Sequence, residues 1–209
     1  MPAQLYLVSP PQIAAPDALA RQLAALCADA PIAAFRLQLP GAGADQLRAV
    51  AAVVFPVVQA AGTAAIIAGD AGLAAATGAD GVHLADPGTV AATRRSLGPD
   101  ISIGVACGTV RHDAMVAAES GADYVEFGPF GAGTAEPADP GLLTWWQELM
   151  ELPCVAGPAV ALADAPALVA AGADFIAIGG GFWALAPGDR ADALASYAAA
   201  SELPFAPGA

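Results

Sequence analysis

The sequence contains no lysine; all seven of its basic residues are arginine. Any site that needs a primary ammonium must do without one, and the accompanying excess of Ala, Gly and Pro fits a GC-rich coding bias. Seven arginines stand against 20 Asp and Glu, so the formal net charge is −13 and the pI is near 4.1. A chain of that sign cannot neutralise a row of phosphates, which argues against nucleic acid, and it does not suit an anionic membrane surface. Cysteine is scarce. Cys27, Cys107 and Cys154 are odd in number and lack metal-ligand spacing, so they read as buried thiols of a reducing compartment. The opening MPAQLYLVSPP has no basic n-region and no long apolar core, so it does not read as a signal peptide, and a cytoplasmic location is expected. No charge falls between Ala49 and Gly69, but Pro56, Gln59 and Gly62 interrupt the run. A surface helix followed by a buried strand is expected there, not a membrane span. No Ser/Gly- or Pro-rich linker divides the chain, so residues 1–209 are expected to form one domain, and 57% hydrophobic residues can fill a large core.

What is present repeats. GADGVHL, GADYVEF and GADFIAI start at Gly78, Gly121 and Gly172, each after an Ala-rich segment. A glycine just past an apolar helical run stops a helix, because it adopts the left-handed backbone without a Cβ penalty. The residues after each Asp are β-rich with little alternation, as in strands of a parallel sheet covered on both faces. Each copy is therefore an α-to-β corner. The same template predicts strands at Gln4–Val8, Ala33–Gln38, Ala64–Ala68, Gly81–Leu84, Ser102–Ala106, Tyr124–Phe127, Pro153–Ala156 and Phe175–Gly179. Helical patterns fall at Asp17–Ala28, Asp45–Ala60, Asp70–Thr77, Gly88–Leu97, Arg111–Ser120, Leu142–Glu151, Leu162–Ala171 and Asp189–Ala200. These rounds predict an α/β fold, a compact (β/α)8 TIM barrel, with the GAD corners at its N-terminal face and any chemistry at the other. A doubly wound open sheet is the alternative, but no Gly-rich fingerprint follows the first strand.

The order LYLV, GADGVHL, IGVAC, GADYVEFGPF and GADFIAIGG, over nearly the whole chain, resembles the thiamine phosphate synthase family and its close relatives the thiazole tautomerases. The resemblance implies a reaction that joins a hydroxymethylpyrimidine diphosphate to a thiazole phosphate. It also implies Mg²⁺, and release of diphosphate through a dissociative, carbocation-like step. Several family positions differ here. Gln-Leu-Arg-x-Lys after strand 2 reads Arg36-Leu37-Gln38-Leu39-Pro40, and the Ser after strand 5 is Ala106. Asn-Asp after strand 3 falls on Ala68-Gly69, with Asp70 one place late, and Gly-Gln-x-Asp after strand 4 falls on Ala85-Asp86-Pro87-Gly88. Asp70 and Asp86 are thus the candidate Mg²⁺ carboxylates. The loop after strand 6 keeps Thr134 but has Glu136 near the family's Lys, and Asp139 beyond it. At ~4–6 Å and an effective dielectric near ~20, each encounter of such a carboxylate with diphosphate is unfavourable by a few kcal/mol. The family holds its thiazole phosphate on backbone N–H groups after strands 7 and 8. Here those positions are Gly157, followed by Pro158 with no N–H, and Gly179, Gly180 and Gly181.

Strand parity places the remaining polar residues. Arg36 and Gln38 share a face, and His83 and Glu126 fall at family positions that face the lumen, the latter usually small. Two readings stand. Arg36 and Glu126 form an internal ion pair that plugs the lumen, with His83 and Gln38 satisfying it. Alternatively Glu126 or His83 is an acid/base and Arg36 an anion clamp. Cys107 reads as a structural thiol or a nucleophile beside His112. Trp145 and Trp146 pack or make a subunit contact, and Trp183 lids the phosphate pocket or packs on the last helix. The expected function is that of a thiamine phosphate synthase-like barrel binding a small phosphorylated molecule, with a homo-oligomer among the expected assemblies. A transferase, a cofactor-free isomerase or tautomerase of a phosphate ester, and a non-catalytic binding barrel all remain open.

Overall fold

The computed structural model describes residues 3–130, 136–158 and 160–200, and side chains as far as Tyr197. Strands and helices alternate in chain order: β1 (Gln4–Val8), α1 (Pro16–Asp29), β2 (Ile32–Leu37), α2 (Ala44–Ala60), β3 (Ala64–Ala68), α3 (Ala71–Thr77), β4 (Gly81–Leu84), α4 (Val90–Leu97), β5 (Ser102–Gly108), α5 (Arg111–Glu119), β6 (Tyr124–Phe127), α6 (Gly141–Leu149), β7 (Cys154–Ala156), α7 (Ala165–Ala170), β8 (Phe175–Ile178), α8 (Gly180–Ala184) and α9 (Pro187–Ala200). All strand pairs are parallel, and β8 closes on β1 through Gln4 opposite Phe175, so the sheet is a closed barrel of eight strands in sequence order. The predicted (β/α)8 barrel is the observed fold, and the open sheet is excluded.

The elements follow from the apolar pattern. Helix α2 buries Leu47, Val50, Ala51, Val54, Phe55 and Val58, which line one face at helical spacing. Pro56 sits on its exposed side, where it removes one intrahelical hydrogen bond. The uncharged run is therefore a surface helix and then a buried strand. Among the described residues no helix is long and apolar enough to cross a membrane. The helices bury their apolar faces on the outside of the barrel, and each fully buried Leu, Ile, Val or Phe there stabilises the fold by roughly 1.5–3 kcal/mol.

The repeated corner is a latch. Gly78, Gly121 and Gly172 all have positive φ (64°, 96° and 109°), so the turn needs glycine. The Asp two residues on then bonds the neighbouring strand twice. Asp80 donates its N–H to Ala65 O at 2.8 Å and accepts Ala65 N–H on its carboxylate at 2.7 Å. Asp123 does the same with Ile103, and Asp174 with Cys154. Each carboxylate also takes a donor from a preceding helix: Gln59 for Asp80, Arg94 for Asp123 and Gln147 for Asp174. The three corners seal the N-terminal rim between β3 and β4, β5 and β6, and β7 and β8.

Candidate active site at the C-terminal face of the barrel

Inside the barrel, small residues make room for large ones. A Cβ on Gly104 would lie 1.9 Å from Tyr124 Cζ, so this glycine is the space that the tyrosine ring fills. Tyr6, Val8, Ala34, Ile66, Tyr124, Val155 and Ala177 form a separate apolar cluster in the lumen. At its C-terminal side sit Arg36 from β2, His83 from β4 and Glu126 from β6, with relative exposures of 1%, 6% and 4%. Strand parity for Arg36 and the family positions of His83 and Glu126 pointed to one interior, and the structure brings the three into contact.

Arg36 and Glu126 make a forked ion pair, Nη1 to Oε2 at 2.8 Å and Nη2 to Oε1 at 3.4 Å. Such pairing is what makes two charges tolerable out of water. Burial alone would lower the pKa of the Arg36 guanidinium, but the Glu126 carboxylate beside it raises it overall, so the charge is permanent. Arg36 Nε is buried without a hydrogen-bond partner, and the guanidinium carbon lies 5.3 Å from the Tyr6 ring centroid. His83 Nε2 is 3.7 Å from Glu126 Oε1, and its Nδ1 is 3.3 Å from the Tyr124 hydroxyl. Burial, reinforced by the Arg36 charge, holds His83 well below the usual imidazole range, so it is neutral at pH 7. Burial also pushes the Tyr6 phenol up to about 12 and Tyr124 well above its ordinary value.

The ion pair does not seal the barrel. Above it lies a cavity of about 280 Å³, lined by Arg36, Gln38, His83, Ala106, Glu126 and Pro158 among others. That is near the lower edge of the roughly 300–1,000 Å³ typical of small-ligand sites. Gln38 is held by its backbone, which exchanges two hydrogen bonds with the Ser9 hydroxyl, and no described residue bonds its side-chain amide. The cavity floor therefore carries a fixed charge pair, a neutral imidazole and a free amide.

The other candidates are placed differently. Asp70 caps α3 by accepting Leu73 N–H at 2.9 Å, and Asp86 caps the 3-10 turn Pro87–Thr89 by accepting Gly88 N–H at 2.8 Å. Both are exposed beside Gly69 and Ala85 of the cavity wall, and Oδ2 of each accepts nothing from the described residues. No three His, Cys, Asp or Glu side chains gather as a metal site among the described residues. Asp70 and Asp86 therefore each have one carboxylate oxygen left for a cation, and Mg²⁺ usually takes most of its oxygens from phosphate and water. Glu136 is exposed, Asp139 caps α6 through Gly141 N–H, and Thr134 lies outside the described residues. Gly157 donates its N–H to Phe127 O at 2.9 Å, which leaves no donor for an anion. A Cβ there would lie 2.7 Å from Glu126 Oε2, so Glu126 explains this glycine. Gly179 precedes α8, and Gly180 and Gly181 form its first turn, exposed, with nothing within 4 Å of an added Cβ.

Cys107 is buried, and burial, then Asp113 and Glu126, push its thiol up to about 12, so it is no nucleophile at neutral pH. His112 lies exposed on α5. Trp183 is pinned: its indole donates to Val8 O at 2.6 Å and Arg190 lies over its ring. Trp146 is fully buried and donates to Leu152 O, while Trp145 carries the Arg111 guanidinium on its face. Tyr6 and Tyr124 were not singled out from the sequence. Tyr124 shares the inward parity of Glu126, and Gly104 opposite it was the available signal; Tyr6 had none.

Comparison with known proteins agrees with the barrel fold. The thiamine monophosphate synthase family matches residues 5–182. A protein named thiamine-phosphate synthase from Rhodospirillum centenum is 46% identical over 185 residues, 86% of this chain and 89% of that one. Another of that name from Hyphomonas neptunium is 41% identical over 189 residues, 86% of each. Among solved structures, thiamine phosphate pyrophosphorylase from Pyrococcus furiosus superposes with a TM-score of 0.80 over 97% of both chains at 17% identity, a likeness of fold.

Proposed function

Because this chain belongs to the thiamine monophosphate synthase family, we propose that it takes a small phosphorylated heterocycle into the C-terminal cavity and joins it to a diphosphate-activated partner. The observation that carries this reading is the open cavity of about 280 Å³ above the Arg36–Glu126 pair, at the barrel end where the fold places its chemistry. Arg36 fixes the direction of Glu126 through the forked ion pair. A fixed carboxylate at the floor favours the diphosphate-activated partner beside the heterocycle, whose ring becomes cationic as diphosphate departs, because a preoriented charge needs no reorganisation at that moment. His83 and the Gln38 amide orient the ring. The first turn of α8 at Gly180 and Gly181 offers backbone N–H groups for a phosphate. Asp70 and Asp86 would hold Mg²⁺, which would supply positive charge beside the diphosphate. The chain has no lysine to supply that charge.

The test is direct. Purified protein with hydroxymethylpyrimidine diphosphate, thiazole phosphate and Mg²⁺ should yield thiamine phosphate and diphosphate in equal amounts. No product above a protein-free control contradicts the reading. A second reading rests on Glu126 itself, a carboxylate where the family usually has a small residue: it would serve as acid/base in the isomerisation of a phosphate ester. Glu126→Gln separates the two. It abolishes a proton-transfer reaction, whereas the joining reaction is slowed without being lost. Binding of thiazole phosphate with neither reaction would identify a binding barrel.

A further inference from the structure

Tyr6 and Tyr124 have no part in the reading above, yet they are tied to it by a continuous path. Their hydroxyls lie 2.8 Å apart, buried across the lumen from β1 to β6. Tyr124 Oη is 3.3 Å from His83 Nδ1, and His83 Nε2 is 3.7 Å from the Glu126 oxygen that also receives Arg36 Nη2. The path therefore runs from Arg36 past Tyr6, Tyr124 and His83 to Glu126, and its two ends meet in the ion pair.

The ends set the direction of every proton between them. A guanidinium can only donate and a carboxylate can only accept. Arg36, close over the Tyr6 ring, favours the phenol oxygen as the negative end of its dipole, so the Tyr6 proton turns towards Tyr124. Tyr124, accepting from Tyr6, passes its own proton to His83 Nδ1. The neutral imidazole must then carry its hydrogen on Nε2, the nitrogen nearest the carboxylate. The opposite arrangement would face the bare Nε2 lone pair to Glu126 Oε1, two acceptors opposed in a site with almost no access to water.

We propose that Tyr124, backed by Tyr6, is a positioning residue that fixes His83 as the Nε2–H tautomer, so that the cavity floor presents one oriented N–H donor beside the Glu126 carboxylate. The inference rests on the lumen being the ligand site, as proposed above, but not on which reaction it runs. It has a chemical consequence. A carboxylate with both oxygens engaged by arginine N–H groups and faced by a third N–H has little room left to accept a hydrogen bond from a ligand. The network thus favours the joining reaction over Glu126-dependent isomerisation.

The chain has only two histidines, His83 in the lumen and His112 exposed on α5, so the imidazole nitrogens can be read individually. Long-range ¹H–¹⁵N spectra of the full chain labelled with ¹⁵N-histidine, at pH 7.5 and without ligand, should show His83 as a single Nε2–H tautomer. His112→Gln assigns the signals. In Tyr124→Phe the His83 nitrogens should move towards a mixture of the two tautomers, and in Tyr6→Phe they should move less. Nδ1–H in the unaltered chain, or a folded Tyr124→Phe chain with the tautomer unchanged, overturns the proposal. Should Tyr124→Phe fail to fold, the tautomer of the unaltered chain and the Tyr6→Phe spectrum still decide it. Because the readout needs no substrate, failure of the synthase assay leaves it standing, and the reverse also holds.

Discussion

At the scale of residues, strand parity put Arg36 and Gln38 on one face, and the family resemblance put His83 and Glu126 in the lumen. Arg36, Gln38, His83 and Glu126 all converge on one cavity wall. Sequence left open whether the charges plug the barrel or serve a site, and the ion pair forms the floor of an open cavity. Asp70 and Asp86, singled out as metal carboxylates, turn out to cap helical turns, a role their place just before each turn also signals. The hydroxyl path through Tyr6 and Tyr124 was not legible, because it depends on distances across the barrel. The pair makes an energetic prediction. Arg36→Ala or Glu126→Ala alone strands a buried charge and should lower unfolding free energy by about 3–5 kcal/mol in urea. Arg36→Met with Glu126→Leu should recover most of that loss, and equal losses in single and double variants would show that the charges are not coupled. His83 adds a pH dependence. Its folded pKa is depressed by burial and then by Arg36, so below the ordinary imidazole pKa of about 6.5 the unfolded chain binds a proton that the folded chain refuses. Its contribution is complete above that pH and should decline by up to about 1.4 kcal/mol per pH unit as pH falls below it. The decline is measurable as the difference between the unaltered chain and His83→Gln, and parallel pH curves for the two would refute it.

At the scale of elements, the strands were read to within about two residues because each is an apolar run bounded by turn chemistry. Helix α8 was missed. Its five residues, GGFWA, begin with two glycines, poor helix formers, and are too short to show a period. Phe182 packs it into the core and the Trp183 indole ties it to Val8. The GAD repeats were correctly read as corners, but their latching carboxylates bond a strand that lies about 15–20 positions earlier in sequence, for example Ala65 under Asp80. Replacing Asp80, Asp123 or Asp174 with Ala orphans a strand N–H and should cost about 1–3 kcal/mol each in thermal or urea unfolding. Asn keeps an acceptor oxygen and should cost less. Asn and Ala variants of equal stability would mean that the carboxylates do not latch the rim.

At the scale of the whole molecule, a barrel with a sealed N-terminal rim and an open C-terminal cavity accounts for the shared order of motifs and the match to the thiamine monophosphate synthase family. With seven arginines, no lysine and a net charge of −13, cationic side chains that could meet a phosphate are few. The claim on which this depends is that the heterocycle binds above Arg36 and Glu126. Ala106, on the cavity wall, allows that space to be filled without touching either charge. Calorimetric titration of thiazole phosphate into the unaltered chain and into Ala106→Phe, checked for equal thermal stability, tests it most directly. One saturable site that weakens by more than about tenfold, or 1.4 kcal/mol, in the filled variant is the result predicted. Equal binding by both chains, or none by the unaltered chain, would contradict it.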